Sequence, residues 1–379
     1  MDKRSIPRRP LGSTGLHVSV LGLGGFHQVE IGQDYVTELV DLYLEAGGNY
    51  VETARGYGRG ASETKLGRAL RGRRDQVILL SKTGQRDAEG AWRELNESLE
   101  ALGTDHVDIL LYHCLTEVAQ VEAIAAPGGA AEAFERALRE GLARFAGAST
   151  HWPMVLIPAM ERLKLDAVMY WVNYLVACNY PELYHTIAPA ARARGLGIIG
   201  MKPLGDGYLH RSVRQAFEYA LAQEVDVLAC GFNSVEMLHA DIEAACRWER
   251  PTEAQLKTIL CDAPELGDYV CRQCGDCRLP ELDLPKVFEL EGKFDRQIFD
   301  GRPTDALDYA LRQRLCYWFH NQERAIELYG PHASAVAGLL SSGAELPDCP
   351  YGIDLRRKLK LAHLKLTSDG DFPAGVYDF

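Results

Sequence analysis

GGNYVETARGYGRGASETKLGRAL, residues 47–70, reads as a short β-branched strand, a glycine-rich loop and the opening of a helix. The strand ends on a carboxylate, Glu52, and the loop after it carries a phenol, Tyr57. Outward from this stretch the same unit repeats. Strand candidates at 18–22, 49–53, 77–82, 107–113, 144–149, 167–171, 197–202 and 225–231 alternate with amphipathic helical patterns such as 35–46, 91–101 and 213–222. Eight strand-helix pairs predict an α/β fold, a (β/α)8 TIM barrel filling residues 1–250. The glycines of GLGGFHQ, from Gly22, open no immediate helix, which argues against a Rossmann turn. RPLGSTGLHVS, with Gly12 and Gly15, predicts a hairpin closing the barrel bottom. After Trp248 the rhythm stops. Residues 251–379 read as a mainly helical C-terminal domain whose clearest amphipathic stretch is DALDYALRQRLCYWF.

Composition narrows the function classes. The chain has 41 Lys and Arg against 53 Asp and Glu, a net charge of −12, which disfavours nucleic-acid and anionic-membrane partners. With 47% apolar residues it can bury a large core, yet no apolar run approaches the roughly 20 residues of a membrane span. The start, MDKRSIPRRP, lacks the apolar region of a signal peptide, so the expected location is cytoplasmic. In that reducing compartment ten cysteines point to metal or redox chemistry where they cluster, not to disulfides.

In a barrel of this kind the chemistry sits at the C-terminal strand ends. Glu52 ends the second strand, Lys82 ends VILLSK and His113 ends VDILLYH. A lysine desolvated in an apolar run needs a carboxylate, and Glu52 is the candidate partner. An ammonium beside Tyr57 is expected to favour the phenolate, making proton exchange with an alkoxide feasible. His113 would donate a hydrogen bond to a carbonyl oxygen.

These residues resemble the aldo-keto reductase pattern G-x-N-x-x-D-T-A-x-x-Y-G-x-G-x-S-E-x-x-L-G. The resemblance continues through RPLGSTGLHVSVLGLGG, VILLSK, LGTDHVDILLYH, FAGASTH and GIIGMKPLGDG, in order over about 230 residues. It implies a catalytic tetrad of Glu52, Tyr57, Lys82 and His113, with Glu52 in place of the family's Asp. It also implies a nicotinamide cofactor, NADP or NAD, across the strand ends. By the same resemblance Ser149 meets the nicotinamide amide, with Thr150 where many members have Asn and Met169 where they have Gln. Lys202, Leu204, Gly205 and Gly207 match the segment wrapping the pyrophosphate. Gly231, Asn233 and Ser234 match the adenosine side, where a helix opens whose amides suit a phosphate. The basic residue usual in NADP-preferring members is missing there. Phe26, His27, His151 and Trp152 are expected around the substrate.

YVCRQCGDCRLPE places Cys271, Cys274 and Cys277 at C-x2-C-x2-C, a spacing that turns three thiolates toward one iron-sulfur cubane. Cys349, followed by Pro350, resembles the fourth ligand of bacterial ferredoxin motifs. The combination resembles the iron-sulfur-containing aldo-keto reductases with a C-terminal ferredoxin-like cysteine motif, and implies one 4Fe-4S cluster; tetrahedral zinc is the alternative. Cys114, Cys178, Cys230, Cys246, Cys261 and Cys316 read as packing residues. The expected function is an NAD(P)-dependent oxidoreductase interconverting a small-molecule carbonyl and alcohol, with a redox partner such as ferredoxin a further expectation. The alternative is an electron-transfer or redox-sensing protein that keeps the barrel as a cofactor-binding scaffold.

Overall fold

The computed structural model describes residues 5–298, 306–319 and 322–368. Strands β1 (Arg8–Pro10) and β2 (His17–Ser19) form an antiparallel hairpin. Then eight parallel strands close a barrel: β3 (Leu21–Gly24), β4 (Tyr50–Glu52), β5 (Ile78–Thr83), β6 (Val107–Leu115), β7 (Ala143–Thr150), β8 (Ala167–Trp171), β9 (Gly197–Met201) and β10 (Val227–Gly231), with β10 paired to both β9 and β3. Every residue of β3, β4, β5, β8 and β9 is buried. Strands of a parallel sheet covered on both faces are expected to be apolar throughout, which is why these segments show no polar alternation.

All eight predicted strands are present; most ends shift by one or two residues, and the first strand shifts most, for a physical reason. The sequence points to 18–22, but His17–Ser19 belongs to the hairpin and the barrel strand starts at Leu21. The hydroxyl of Ser19 donates to the Leu21 carbonyl at 2.7 Å, its N–H donates to Asn49 Oδ1 at 2.7 Å, and the Val20 N–H donates to the Pro7 carbonyl. Local hydrogen bonds thus break the ladder inside an apolar run. The hairpin covers the N-terminal strand ends, as predicted: the Ser13 N–H donates to Gly195 and that of Gly12 to Asp226. Gly12 is required there, because its φ is +49° and a Cβ would lie 2.3 Å from the Gly197 nitrogen.

The described chain groups into two compact units. One is Met1–Val172 with Glu182–Pro203 and Phe217–Arg250; the other is Pro251–Phe379 with Asn173–Pro181 and Leu204–Ala216. The second unit is helical, with helices Glu253–Asp262, Leu284–Asp295, Ala306–Phe319, Gln322–Ser342 and Leu355–Thr367. Its core packs Val287, Phe288, Leu290 and Phe294 against Tyr329, Val336, Leu359 and Leu366. Among the described residues no helix is long and apolar enough to cross a membrane.

Within that core lies a charge network. Glu291, fully buried, meets Lys358 at 2.9 Å, Lys365 at 2.7 Å and the Tyr269 hydroxyl at 2.5 Å, and Lys365 also meets Asp295 at 2.7 Å. Burial by itself raises a carboxyl pKa, but the two ammonium groups outweigh it and hold Glu291 down at about 2. Removing one member of such a set leaves partners charged and dry. Replacing Glu291 by Gln should therefore destabilise this unit by roughly 3 to 5 kcal/mol, read as a lower urea midpoint in circular dichroism.

Candidate functional site

The candidate site assembles at the C-terminal ends of β4, β5 and β6. Lys82, 1% exposed, and Glu52, 3% exposed, form a direct ion pair between Nζ and Oε1. Lys82 Nζ also donates to the Thr53 carbonyl at 2.9 Å and to the Tyr57 hydroxyl at 3.1 Å, and the Tyr57 hydroxyl lies 3.1 Å from Glu52 Oε1. The extra methylene of Glu52 does not take it out of reach: its carboxylate serves both partners. His113 stands edge-on to Tyr57, ring centroids 5.6 Å apart, and Phe26 packs on Tyr57 at 5.2 Å. All four sequence-predicted tetrad residues therefore meet.

Electrostatics differ from the expectation in one respect. Burial pushes the Tyr57 phenol up, reinforced by Cys114 and Tyr50, so the phenol keeps its proton at neutral pH. Burial also pulls Lys82 down, while its contact with Glu52 favours the ammonium form. Burial also drives His113 well below the ordinary histidine value, with Lys82, His151 and Arg86 adding to it. A neutral imidazole can donate one hydrogen bond without carrying charge.

Arg86, which the sequence reading left out, helps to hold this arrangement. Strand β6 changes register between Tyr112 and Leu115, and Cys114 takes a left-handed φ of +53°. Arg86 braces the irregularity, donating to the carbonyls of His113 at 2.8 Å and Cys114 at 3.2 Å. A bulge has no sequence signature in an apolar run, so Cys114, read as packing, emerges instead as the neighbour of the centre. Ser149 is tied to the same bulge, its hydroxyl accepting from the Cys114 N–H at 2.9 Å. The Thr150 hydroxyl bonds the Leu115 carbonyl and accepts from the Trp152 N–H at 2.7 Å. His151 accepts from the Trp171 indole N–H at 2.6 Å.

The other predicted cofactor residues fall into two places. In the barrel unit Lys202 has φ +54° and lies 5.5 Å from the Trp171 ring. Gly231 has His27 so close that a Cβ would lie 2.5 Å from it, Asn233 donates to Glu30 at 2.8 Å, and Ser234 caps the helix Val235–Cys246 through the Met237 N–H. Leu204, Gly205 and Gly207 group with the second unit, where Gly205 and Gly207 have φ of +56° and +95°.

Cys271, Cys274, Cys277 and Cys349 line one small cavity of the second unit, walled by Pro285, Tyr351, Ile353 and Leu355. Cys271 and Cys277 are buried and Cys274 is exposed. Among the described residues no three His, Cys, Asp or Glu side chains converge on a point that could hold a single metal ion. Of the cysteines read as packing, Cys178 and Cys230 are buried, Cys246 is half-buried and Cys261 is exposed; the Cys316 side chain lies outside the described residues.

A closed parallel barrel with a buried lysine and carboxylate and a half-buried tyrosine and histidine at its strand ends defines an oxidoreductase of the reductase barrel class. The model of the Aldo/keto reductase family matches residues 20–257, and the chain belongs to that family. It is 27% identical over 300 residues to the uncharacterized oxidoreductase YqkF of Bacillus subtilis strain 168, covering 66% of this chain and 95% of that one. L-galactose dehydrogenase of Arabidopsis thaliana is 29% identical over 54% of this chain and 67% of its own length. Among solved structures, the holo form of aldo-keto reductase AKR11C1 from Bacillus halodurans aligns with TM-score 0.58 and 26% identity, covering 67% of this chain and 95% of that one.

The depressed His113 gives a direct check. Its ring should stay neutral from pH 8 down through about 6.5, where a free histidine takes up its proton, and histidine-resolved NMR titration should show no His113 shift across that interval.

Proposed function

We propose that the protein interconverts a small-molecule carbonyl and its alcohol, with NADP or NAD as hydride carrier. The observation that carries the reading is the Tyr57 hydroxyl held between Lys82 and Glu52 with His113 at its edge. A bound nicotinamide supplies or accepts the hydride. The rest is proton handling by the chain. Tyr57, protonated at neutral pH, gives its proton to the developing alkoxide. Lys82 stabilises the phenolate left behind, and Glu52, paired with Lys82, holds that ammonium in place. Neutral His113 orients the oxygen without competing for that proton. Ser149, Thr150, Lys202, Leu204, Gly205, Gly207, Gly231, Asn233 and Ser234 would hold the cofactor; the left-handed backbone at Lys202, Gly205 and Gly207 suits close approach of a pyrophosphate.

For the second unit the reading is one 4Fe-4S cluster on Cys271, Cys274, Cys277 and Cys349. What supports this reading is that the C-x2-C-x2-C thiols and Cys349 line one cavity, a spacing tighter than is usual for zinc. Cys271 and Cys277 belong to the core of this unit, so the cluster would staple it. Exposed Cys274 is the edge through which a one-electron partner such as a ferredoxin would reach it.

Two variants test these readings separately. Tyr57→Phe should bind nicotinamide nucleotide by fluorescence titration while carbonyl reduction falls by about 10²- to 10⁴-fold; unchanged turnover would remove Tyr57 as the acid. Anaerobically purified Cys349→Ser should lose iron and sulfide together and melt at lower temperature. Zinc without sulfide in the parent protein would decide for the tetrahedral site.

A further inference from the structure

A polar cavity of about 730 Å3 in the outer wall of the barrel unit is lined by Arg55, Arg59, Arg68, Arg71 and Arg74. It opens between the helices Ala61–Ala69 and Ala88–Leu102, whose residues form its sides. Five guanidinium groups around one hollow run against the chain's net charge of −12. Two carboxylates, Glu97 and Glu100, share the lining, so positive charge predominates.

Two of the arginines are committed to the fold. Arg55 pairs with Glu63 at 3.3 Å and Glu97 at 3.0 Å, and Arg74 pairs with Asp108 at 2.9 Å. The other three, Arg59, Arg68 and Arg71, are exposed and meet no carboxylate among the described residues. Arg59 is also held in a left-handed conformation, φ +55°, between Gly58 at +58° and Gly60 at +88°. A bulky residue there is strained, and glycine would sit more easily. The hollow is rigidly built as well: at Gly67 a Cβ would lie 2.4 Å from the Leu102 carbonyl oxygen, so the two helices touch backbone to backbone beneath it.

Guanidinium forks recognise phosphate oxygens in bidentate fashion, and the Thr64 hydroxyl in the same lining adds a neutral donor. The volume is that of a small-molecule site. We propose that this hollow binds a phosphorylated small molecule carrying two or more linked phosphates, at a site separate from the nicotinamide cofactor's. Its rim, residues 55 and 58–60, belongs to the same loop as Tyr57, so a ligand there rests against the segment that presents the phenol.

The probe is inorganic pyrophosphate, titrated calorimetrically into the full-length protein at low and high salt. Binding at millimolar concentration or below is expected, weakening as salt rises. Arg68→Ala with Arg71→Ala, both on a solvated face, should weaken it by about tenfold or more while nicotinamide-nucleotide affinity stays unchanged. Arg59→Gly should fold at least as well as the parent, because its φ suits glycine, and still bind pyrophosphate several-fold more weakly. No binding to the parent, or equal binding to the parent and both variants, would overturn the proposal.

Discussion

The buried contact between Lys82 and Glu52 is the constraint around which the reaction centre is arranged. An ammonium that ends an apolar strand loses its hydration, and an isolated charge there costs several kcal/mol. The chain answers with a carboxylate on the neighbouring strand, the Thr53 carbonyl and the Tyr57 hydroxyl. Those partners fix Tyr57 in turn, since its hydroxyl is shared by both charges. The second unit uses the same logic on a larger scale, with Lys358 and Lys365 answered by Glu291 and Asp295 inside an apolar core.

Burial sets the direction of each pKa shift at this site. Tyr57 is pushed up, Lys82 and His113 are pulled down, and each shift has desolvation as its first cause. The result is a phenol that retains its proton beside an imidazole that remains neutral. For a group that must give up a proton only when an alkoxide develops, that ground state is suitable. The bulge in β6 completes the arrangement, because Arg86 and Ser149 secure the backbone that carries His113 and Cys114.

Much of this was legible in order along the chain. The repeated apolar runs appear as eight strands, and Glu52, Tyr57, Lys82 and His113 come together where strand ends were expected. Three features were not legible. Ser19 and Val20 form hydrogen bonds outside the ladder, which detaches 17–19 from the barrel strand. Cys114 reads as one more apolar position until the register shift brings it beside the phenol. The arginines at 55, 59, 68, 71 and 74 form no motif along the chain, and only the packing of the helices carrying some of them brings them around one hollow.

The sequence by itself determined the strand-helix repeat, which ionisable groups fall at neighbouring strand ends and the presence of a cysteine set in the C-terminal part. Periodicity, and the cost of leaving a lysine unpaired in an apolar run, are local properties that a single chain displays. Only the tertiary structure decided that Glu52 reaches both Lys82 and Tyr57, that the phenol's pKa rises, and that four cysteines separated by up to 78 positions, from Cys271 to Cys349, line one cavity. Desolvation and convergence depend on what packs around a group from distant parts of the chain, and no local pattern encodes that.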